Sequence, residues 1–91
     1  MSLTRTSVPA LRRGVRRSFD KTRNAAVLMA PERVIILDEI ADAIVSECDA
    51  VSSVEEILFR LSERFSAPTE EIQADVLAFL QQLLDKGLIQ S

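Results

Sequence analysis

A strand-forming run, Val34-Ile35-Ile36-Leu37, leads directly into a helical pattern that begins at Asp38. β-Branched residues favour strands, and a run that is apolar at every position is typical of a strand covered on both faces. Asp38 can cap the helix because its side chain accepts a hydrogen bond from a free N–H group of the first turn. Since no loop separates the two elements, we expect the helix to hold the end of the strand rigidly.

Two more strands are predicted before this run. Residues 15–20 alternate between two faces, and this period of two indicates a half-buried strand. Residues 25–30 are apolar and end at Pro31, which lacks the N–H group that a ladder needs. The strongest strand is 33–37. Residues 1–14 are basic and show no period, which predicts a flexible N-terminal arm.

Three helices are predicted after the strands, over residues 39–48, 54–65 and 68–86. Ser53 and Glu56 form a capping-box pattern at the start of the second helix. Pro68 is favoured at the first position of the third helix, and Gly87 is placed to end it in a left-handed conformation. Three strands followed by three helices indicate an α+β fold, with residues 15–91 as a single domain.

The composition excludes most catalytic and metal sites. The 91 residues include no histidine, one cysteine and two glycines. Serine–histidine and cysteine–histidine nucleophiles are therefore absent, as are the usual zinc, iron–sulfur and haem sites. Cys48 lies on the apolar stripe of the first helix, where a buried thiol acts as a small hydrophobic side chain. We expect a protein that is not an enzyme and that uses no cofactor and no metal.

The same composition indicates a compartment. A single cysteine fits a reducing environment. No apolar run reaches the roughly 18 residues that span a bilayer, and the arginine-rich N-terminus lacks the apolar core of a secretory signal. We therefore predict a cytoplasmic protein with no membrane partner.

Charge is divided unevenly along the chain. Residues 1–33 hold eight basic residues against two acidic ones, a net charge of +6, whereas residues 34–91 carry a net charge of −9. Such polarity can steer a charged partner towards the protein. It can also make two copies attract each other, so self-association as a homodimer or as a dimer that exchanges N-terminal strands stays open.

A winged-helix domain that binds nucleic acid is another alternative, because strands combined with a helix pair can form one. The third helix would enter the major groove. Its acidic residues oppose that role because DNA phosphates repel them, and Lys86 is the one basic residue beside them: Glu70, Glu71, Asp75 and Asp85. Base reading needs Arg, Lys, Asn or Gln near the start of that helix. We expect no nucleic-acid partner.

Peptide binding is the third alternative. If the strands pair in chain order, the strand at 33–37 lies at an edge of the sheet. An edge strand offers unpaired N–H and C=O groups to an extended peptide. The strand could equally be central or covered by a helix, and periodicity does not separate these arrangements.

Residues 9–90 resemble the pyrroloquinoline quinone biosynthesis protein D (PqqD) family. The resemblance rests on several short segments in a fixed order: Gly14-Val15-Arg16, Pro31-Glu32, Cys48-Asp49, Ser53-Val54-Glu55-Glu56-Ile57, Ala67-Pro68, and Asp75-Val76 with Phe79-Leu80. One position departs from the family pattern, because Ala50 stands where a glycine is expected. That departure affects the end of a helix.

The resemblance implies a small winged-helix-like domain, with a three-stranded antiparallel sheet followed by three helices, that acts as a peptide chaperone. Members of this family bind the ribosomally made precursor peptide of pyrroloquinoline quinone (PQQ). They present it to a radical S-adenosylmethionine enzyme. In related recognition domains the peptide adds as an antiparallel strand to the third strand, against the third helix.

Carried onto this chain, the resemblance implies a groove between that strand and the third helix. The strand side comprises Arg33, Val34, Ile35, Ile36, Leu37 and Asp38. The helix side comprises Ile72, Asp75, Val76, Phe79 and Leu80. The charge of the arm adds a hypothesis of its own, a contact with the partner enzyme or with acidic residues of the peptide, made by Arg12, Arg13, Arg16 and Arg17.

Overall fold

The computed structural model describes residues 3–91, so the first two residues of the predicted arm, Met1 and Ser2, lie outside the described residues. Its elements, in chain order, are β1 (Ala10–Leu11), β2 (Arg16–Asp20), β3 (Ala25–Ala30), β4 (Arg33–Leu37), α1 (Glu39–Ser46), α2 (Val54–Phe65), α3 (Thr69–Asp85) and β5 (Ile89–Gln90). Three helices follow a three-stranded antiparallel sheet, so the predicted α+β fold is confirmed. The short strands β1 and β5 were not predicted.

The main sheet is a meander in the order β2–β3–β4, with both ladders antiparallel. β3 is central, and its Leu28 lies between Arg17 of β2 and Ile35 of β4. Among residues 3–91, β4 has a neighbouring strand on one side only, so it is an edge strand. This is the arrangement that the chain-order argument predicts.

β4 is not covered on both faces, which corrects the expectation from its apolar sequence. Leu37 is 4% exposed, whereas Val34 is 49% and Ile36 is 59% exposed. Alternate residues of a strand face opposite sides, so Leu37 and Ile35 share the face that packs on the core. Val34 and Ile36 share the other face, where their side chains remain largely exposed.

Local capping explains where the helices begin and end. Asp38 Oδ1 accepts a hydrogen bond of 2.7 Å from the Ala41 N–H group, which starts α1 at the end of β4. Ser53 and Glu56 form both bonds of the predicted capping box. Gly87 adopts a φ of +74° after α3, and Leu88 folds back to bury its side chain, as predicted. Within residues 3–91 no helix is long and apolar enough to cross a bilayer.

The arm is not loose in the part that the structure describes, which corrects the prediction for residues 1–14. β1 pairs with β5, and the Arg5 and Ser7 carbonyl groups accept hydrogen bonds of 2.9 and 2.8 Å from N–H groups of the first turn of α2. The first N–H groups of a helix have no partner within the helix, so an extended segment can satisfy them. These scattered bonds need no apolar periodicity, and the sequence therefore carries no signal for them.

Ala50 is expected to be a weak point of the fold, and Ala50→Gly should stabilise it. Ala50 has a φ of +67°, a conformation that favours glycine. Relief of this strain exceeds the entropy that glycine adds to the unfolded chain, so we expect a gain of about 0.5–1 kcal/mol in the free energy of unfolding. Urea denaturation measures it. The matched change Ala74→Gly, at an exposed position within α3, should instead lower stability, and a loss at Ala50 would contradict the explanation.

Candidate functional site

An open cavity of about 370 Å³ lies between the edge strand β4 and helix α3. Its walls are mostly apolar, with two carboxylates, and consist of Ile36, Asp38, Ile40, Ala41, Ile44, Ile72, Asp75, Val76 and Phe79. We call this cavity the groove. A concave apolar surface with a few polar groups is the usual form of a binding site.

Helix α3 supplies one wall because its inner face is anchored in the core. Val76 is 3% and Leu80 is 0% exposed, so these side chains fix the helix against the body of the domain. Ile72 and Phe79 flank this buried stripe and are half-buried, and Asp75 is exposed beside them. The groove therefore borders the half-buried side chains at the edge of the buried stripe of α3.

Six of the predicted groove residues do line it: Ile36, Asp38, Ile72, Asp75, Val76 and Phe79. Leu80 and Leu37 do not, since both are buried in the core cluster, and neither can contact a ligand without rearrangement of the core. Arg33, Val34 and Ile35 are not part of the wall either. Val34 remains available through its backbone along the edge, whereas the backbone groups of Arg33 and Ile35 face β3.

Sequence reasoning missed the contribution of α1. Ile40, in its first turn, lines the groove and is 59% exposed, although it lies on the apolar side of a helix. Ala41 and Ile44 complete this wall. Ile36, which is equally exposed, lines the same cavity, and exposed apolar side chains that cluster at one place indicate an interaction surface.

The register of the hairpin determines which backbone groups of β4 are unpaired. β3 and β4 are joined by residues 31–32, with Ala30 opposite Arg33. A tight turn closes with a hydrogen bond between the residues that flank it, and bonded and non-bonded pairs then alternate along the ladder. Val34 and Ile36 therefore direct their N–H and C=O groups away from β3, towards the groove side.

The four arginines predicted to contact the partner enzyme or the peptide separate into two environments. Arg17 forms an ion pair with Asp42 of α1, and its Nη2 lies 3.0 Å from Oδ2. The hydrogen bond raises the pKa of Arg17 and lowers that of Asp42. Arg17 thus connects β2 to α1. Arg12, Arg13 and Arg16 make no ion pair within residues 3–91.

Cys48 has the surroundings of a structural residue. It is 8% exposed, and its thiol donates a hydrogen bond of 3.5 Å to the Ile44 carbonyl group. Burial, with Asp49 and Glu47 nearby, raises its pKa to about 12, so almost no thiolate forms near neutral pH. In residues 3–91, no three cysteine or acidic side chains lie where they could hold a metal ion together.

Acid, rather than mildly basic pH, is expected to destabilise the fold. Hydrogen bonds lower the pKa of Asp42, chiefly from Arg17, and of Asp49, chiefly from the Ser52 N–H group, below their ordinary value of 3.8. A carboxyl group with a lowered folded-state pKa stabilises the fold above its unfolded pKa, and this contribution is lost as pH falls through the folded pKa. With no histidine to titrate, the melting temperature should stay level between about pH 5.5 and pH 8 and fall below about pH 4.5. A transition near pH 6.5 in a series of thermal melts would contradict this assignment.

The family model for coenzyme PQQ synthesis protein D (PqqD) matches residues 25–89. A relative described as a PqqA binding protein, from Rhodopseudomonas palustris (strain TIE-1), is 45% identical over 89 residues, which cover 98% of this chain and 87% of the relative. Another, from Xanthomonas oryzae pv. oryzae (strain KACC10331 / KXO85), is 44% identical over 88 residues, which cover 97% of this chain and 96% of the relative.

Two solved structures share the fold. The solution structure of the PqqD truncation of Methylobacterium extorquens PqqCD, described as a stand-alone recognition element for a ribosomally synthesised and modified peptide, superimposes with a TM-score of 0.85. It is 37% identical, and the match covers 99% of this chain and 96% of the other. A crystal structure of PqqD from Xanthomonas campestris gives a TM-score of 0.62 at 39% identity, with 99% and 100% covered. The chain belongs to the coenzyme PQQ synthesis protein D (PqqD) family.

Proposed function

We propose that this protein is a cytoplasmic peptide chaperone of PQQ biosynthesis that binds the PqqA precursor by strand addition to β4. The observation that carries the proposal is the open edge of β4 beside the apolar groove. Relatives at 45% and 44% identity are described as PqqA binding proteins, which supports this ligand. The protein acts by binding and positioning, and the chemistry belongs to a partner enzyme.

Backbone pairing and side-chain anchoring divide the recognition between them. Val34 and Ile36 offer main-chain groups that any extended peptide can use, so they supply affinity without selectivity. The groove supplies selectivity for apolar side chains of the peptide, because such a side chain can displace water from the surface formed by Ile40, Ile72 and Phe79. The hydrogen bond from Ala41 to Asp38 holds β4 in place before binding, which lowers the ordering cost.

We further propose that the protein presents the bound peptide to a radical S-adenosylmethionine enzyme, and strand addition is compatible with that step. A peptide held as one added strand is fixed over a few residues, and the segments on either side stay accessible. The partner can then act on a segment outside the groove. The Methylobacterium extorquens relative occurs within PqqCD, which supports association with another protein of the pathway.

Phe79→Ala is expected to weaken binding of a synthetic PqqA peptide by more than about tenfold, because it removes the one aromatic side chain that lines the groove. Phe79 is half-buried, so the free energy of unfolding should fall by less than the about 3–5 kcal/mol typical of a fully buried phenylalanine. Isothermal titration calorimetry measures the affinity, and circular dichroism confirms that the variant is folded. Phe59→Ala is the matched control, since Phe59 is 59% exposed on α2 and does not line the groove. Equal affinities for the two variants would remove Phe79 from the site.

Titration of the labelled protein with the PqqA peptide of the same genome tests the proposal as a whole. We expect saturable one-to-one binding, with the largest amide shift changes in β4, the first turn of α1 and the groove face of α3. Light scattering during the titration shows whether the protein is a monomer, because a homodimer formed through β4 would occupy the same edge. Shift changes confined to other surfaces would contradict the proposal. Adding the radical enzyme should then give a ternary complex, and release of the peptide by the enzyme would contradict presentation.

A further inference from the structure

A second cavity, of about 280 Å³, lies at the beginning of β4 and is lined by basic side chains. They come from three separate segments: Arg12 and Arg13 follow β1, Arg33 begins β4, and Lys86 follows α3. Glu32 is the one acidic residue of its wall. We call these four basic residues the basic cluster. The three segments lie far apart in sequence, so only the fold brings these side chains together.

The basic cluster lacks the ion pairs that four other arginines form in the described chain. Arg16 and Arg64 form none there either, but they do not line this cavity. Arg5, Arg17, Arg23 and Arg60 each pair with a carboxylate, at Glu55, Asp42, Asp20 and Glu47 respectively. No member of the cluster does so within residues 3–91. Like charges held together repel one another, so an external anion at this place relieves repulsion and adds attraction.

The groove beside the other end of β4 has the opposite charge. Asp38 and Asp75 both line it, and each is exposed. α3 runs from this acidic end to Lys86 at the cluster, alongside β4, which runs in the opposite direction from Arg33 to Asp38. A ligand on β4 therefore meets negative charge at one end and positive charge at the other.

We propose that this charge polarity selects both the direction and the sequence of the bound precursor peptide. The inference rests on the proposed function and adds the chemistry of the ligand. Both ladders of the sheet are antiparallel, and antiparallel pairing is the more stable kind per residue. An added antiparallel strand has its N-terminal side at Asp38 and its C-terminal side at Arg33. The peptide is therefore basic before the paired segment and acidic after it, with its carboxylates on the basic cluster.

The double variant Arg33→Gln with Lys86→Gln tests the cluster. Both side chains are exposed, so the fold should be retained. We expect the dissociation constant for the synthetic PqqA peptide to rise about three- to tenfold at low salt, as for the loss of two exposed ion pairs. The difference should shrink as salt screens the charges. The matched control, Lys21→Gln with Arg23→Gln, removes the same charge in the β2–β3 turn and should bind as the unmodified protein does.

A change in the peptide identifies the occupant. Replacing the Asp and Glu residues after its paired segment by Asn and Gln should weaken binding to the unmodified protein by a similar factor. The same peptide should lose little further affinity for the double variant, because the two changes remove one interaction. Replacing the basic residues before the paired segment by neutral ones should weaken binding to the unmodified protein and to the double variant by the same factor. The same peptide should lose little further affinity for the Asp75→Asn variant, because these two changes remove one interaction.

The outcomes separate this inference from the proposed function. If the unmodified protein does not bind the peptide, the proposed function fails. If the unmodified protein and the double variant bind it equally, the proposed function stands and the inference is overturned. Equal peptide binding with loss of affinity for the radical enzyme would also overturn it, because the cluster would then contact the enzyme.

Discussion

Ile36→Pro is expected to abolish binding of the PqqA peptide while the domain stays folded. The register directs the Ile36 N–H group away from β3, so proline removes a donor that the fold does not use. Proline is tolerated on the open side of an edge strand for this reason. An added strand loses one hydrogen bond at the centre of its ladder and meets the proline ring where it must approach. Calorimetry should detect no saturable binding at concentrations that saturate the unmodified protein.

Two further variants isolate the backbone effect. Ile36→Thr loses the apolar side chain but keeps the N–H group, so it should bind with only moderately lower affinity. Ile35→Pro removes a donor that faces β3 and should destabilise the sheet itself, since Ile35 lies opposite Leu28. Full affinity in a folded Ile36→Pro protein would show that the peptide does not add to β4.

Leu80→Ala is expected to lower the free energy of unfolding by about 3–5 kcal/mol, the upper range for a leucine in a tightly packed core. Leu80 is 0% exposed and belongs to the cluster that joins α3 to the rest of the domain. Small domains have a total stability of only about 5–15 kcal/mol, so the loss is a large fraction of it. Urea denaturation measures this difference.

The neighbouring change Gln82→Ala, at an exposed position on the same helix, should leave stability within about 0.5 kcal/mol of the original value. If Leu80→Ala left stability unchanged and weakened peptide binding, Leu80 would have to be assigned to the peptide-binding site. That result would support the groove predicted from the sequence over the one that the structure defines.

The sequence was most informative where local chemistry decides the structure. Asp38, Ser53 and Gly87 each mark a helix boundary, because a cap or a left-handed residue acts through bonds to residues close in sequence. The order of the strands and the edge position of β4 match one of the arrangements that the sequence left open, the one in which short connections pair the strands in chain order. All of these depend on neighbours in the chain.

The margin of the groove was less predictable. Phe79 and Leu80 are adjacent, and both lie on the apolar side of α3, yet Leu80 is fully buried and Phe79 lines the groove. Ile40 has the same helical phase as buried residues of α1, but the first turn of that helix lies beside the groove and leaves it exposed. Periodicity gives the direction of a side chain, and the neighbouring element decides whether it is covered.

The charge pattern of the sequence likewise did not predict which basic residues lie together in the fold. The arginines near the N-terminus look alike in sequence, but Arg17 pairs with Asp42, which lies 25 residues further along the chain. Arg12 and Arg13 instead join Arg33 and Lys86 around one cavity. Only the folded backbone brings such distant residues together, so the sequence predicted a basic arm and could not predict the basic cluster.

Amide hydrogen exchange of β4 tests strand addition most directly. The free protein should exchange the Val34 and Ile36 amides quickly, since the part of the chain that the structure describes places no strand against this edge, whereas Ile35 and Leu37 are already bonded to β3. Saturation with the PqqA peptide should slow the exchange of Val34 and Ile36 strongly and change Ile35 and Leu37 much less. If Val34 and Ile36 exchange equally fast in the free and the saturated protein, the peptide is not an added strand of this sheet.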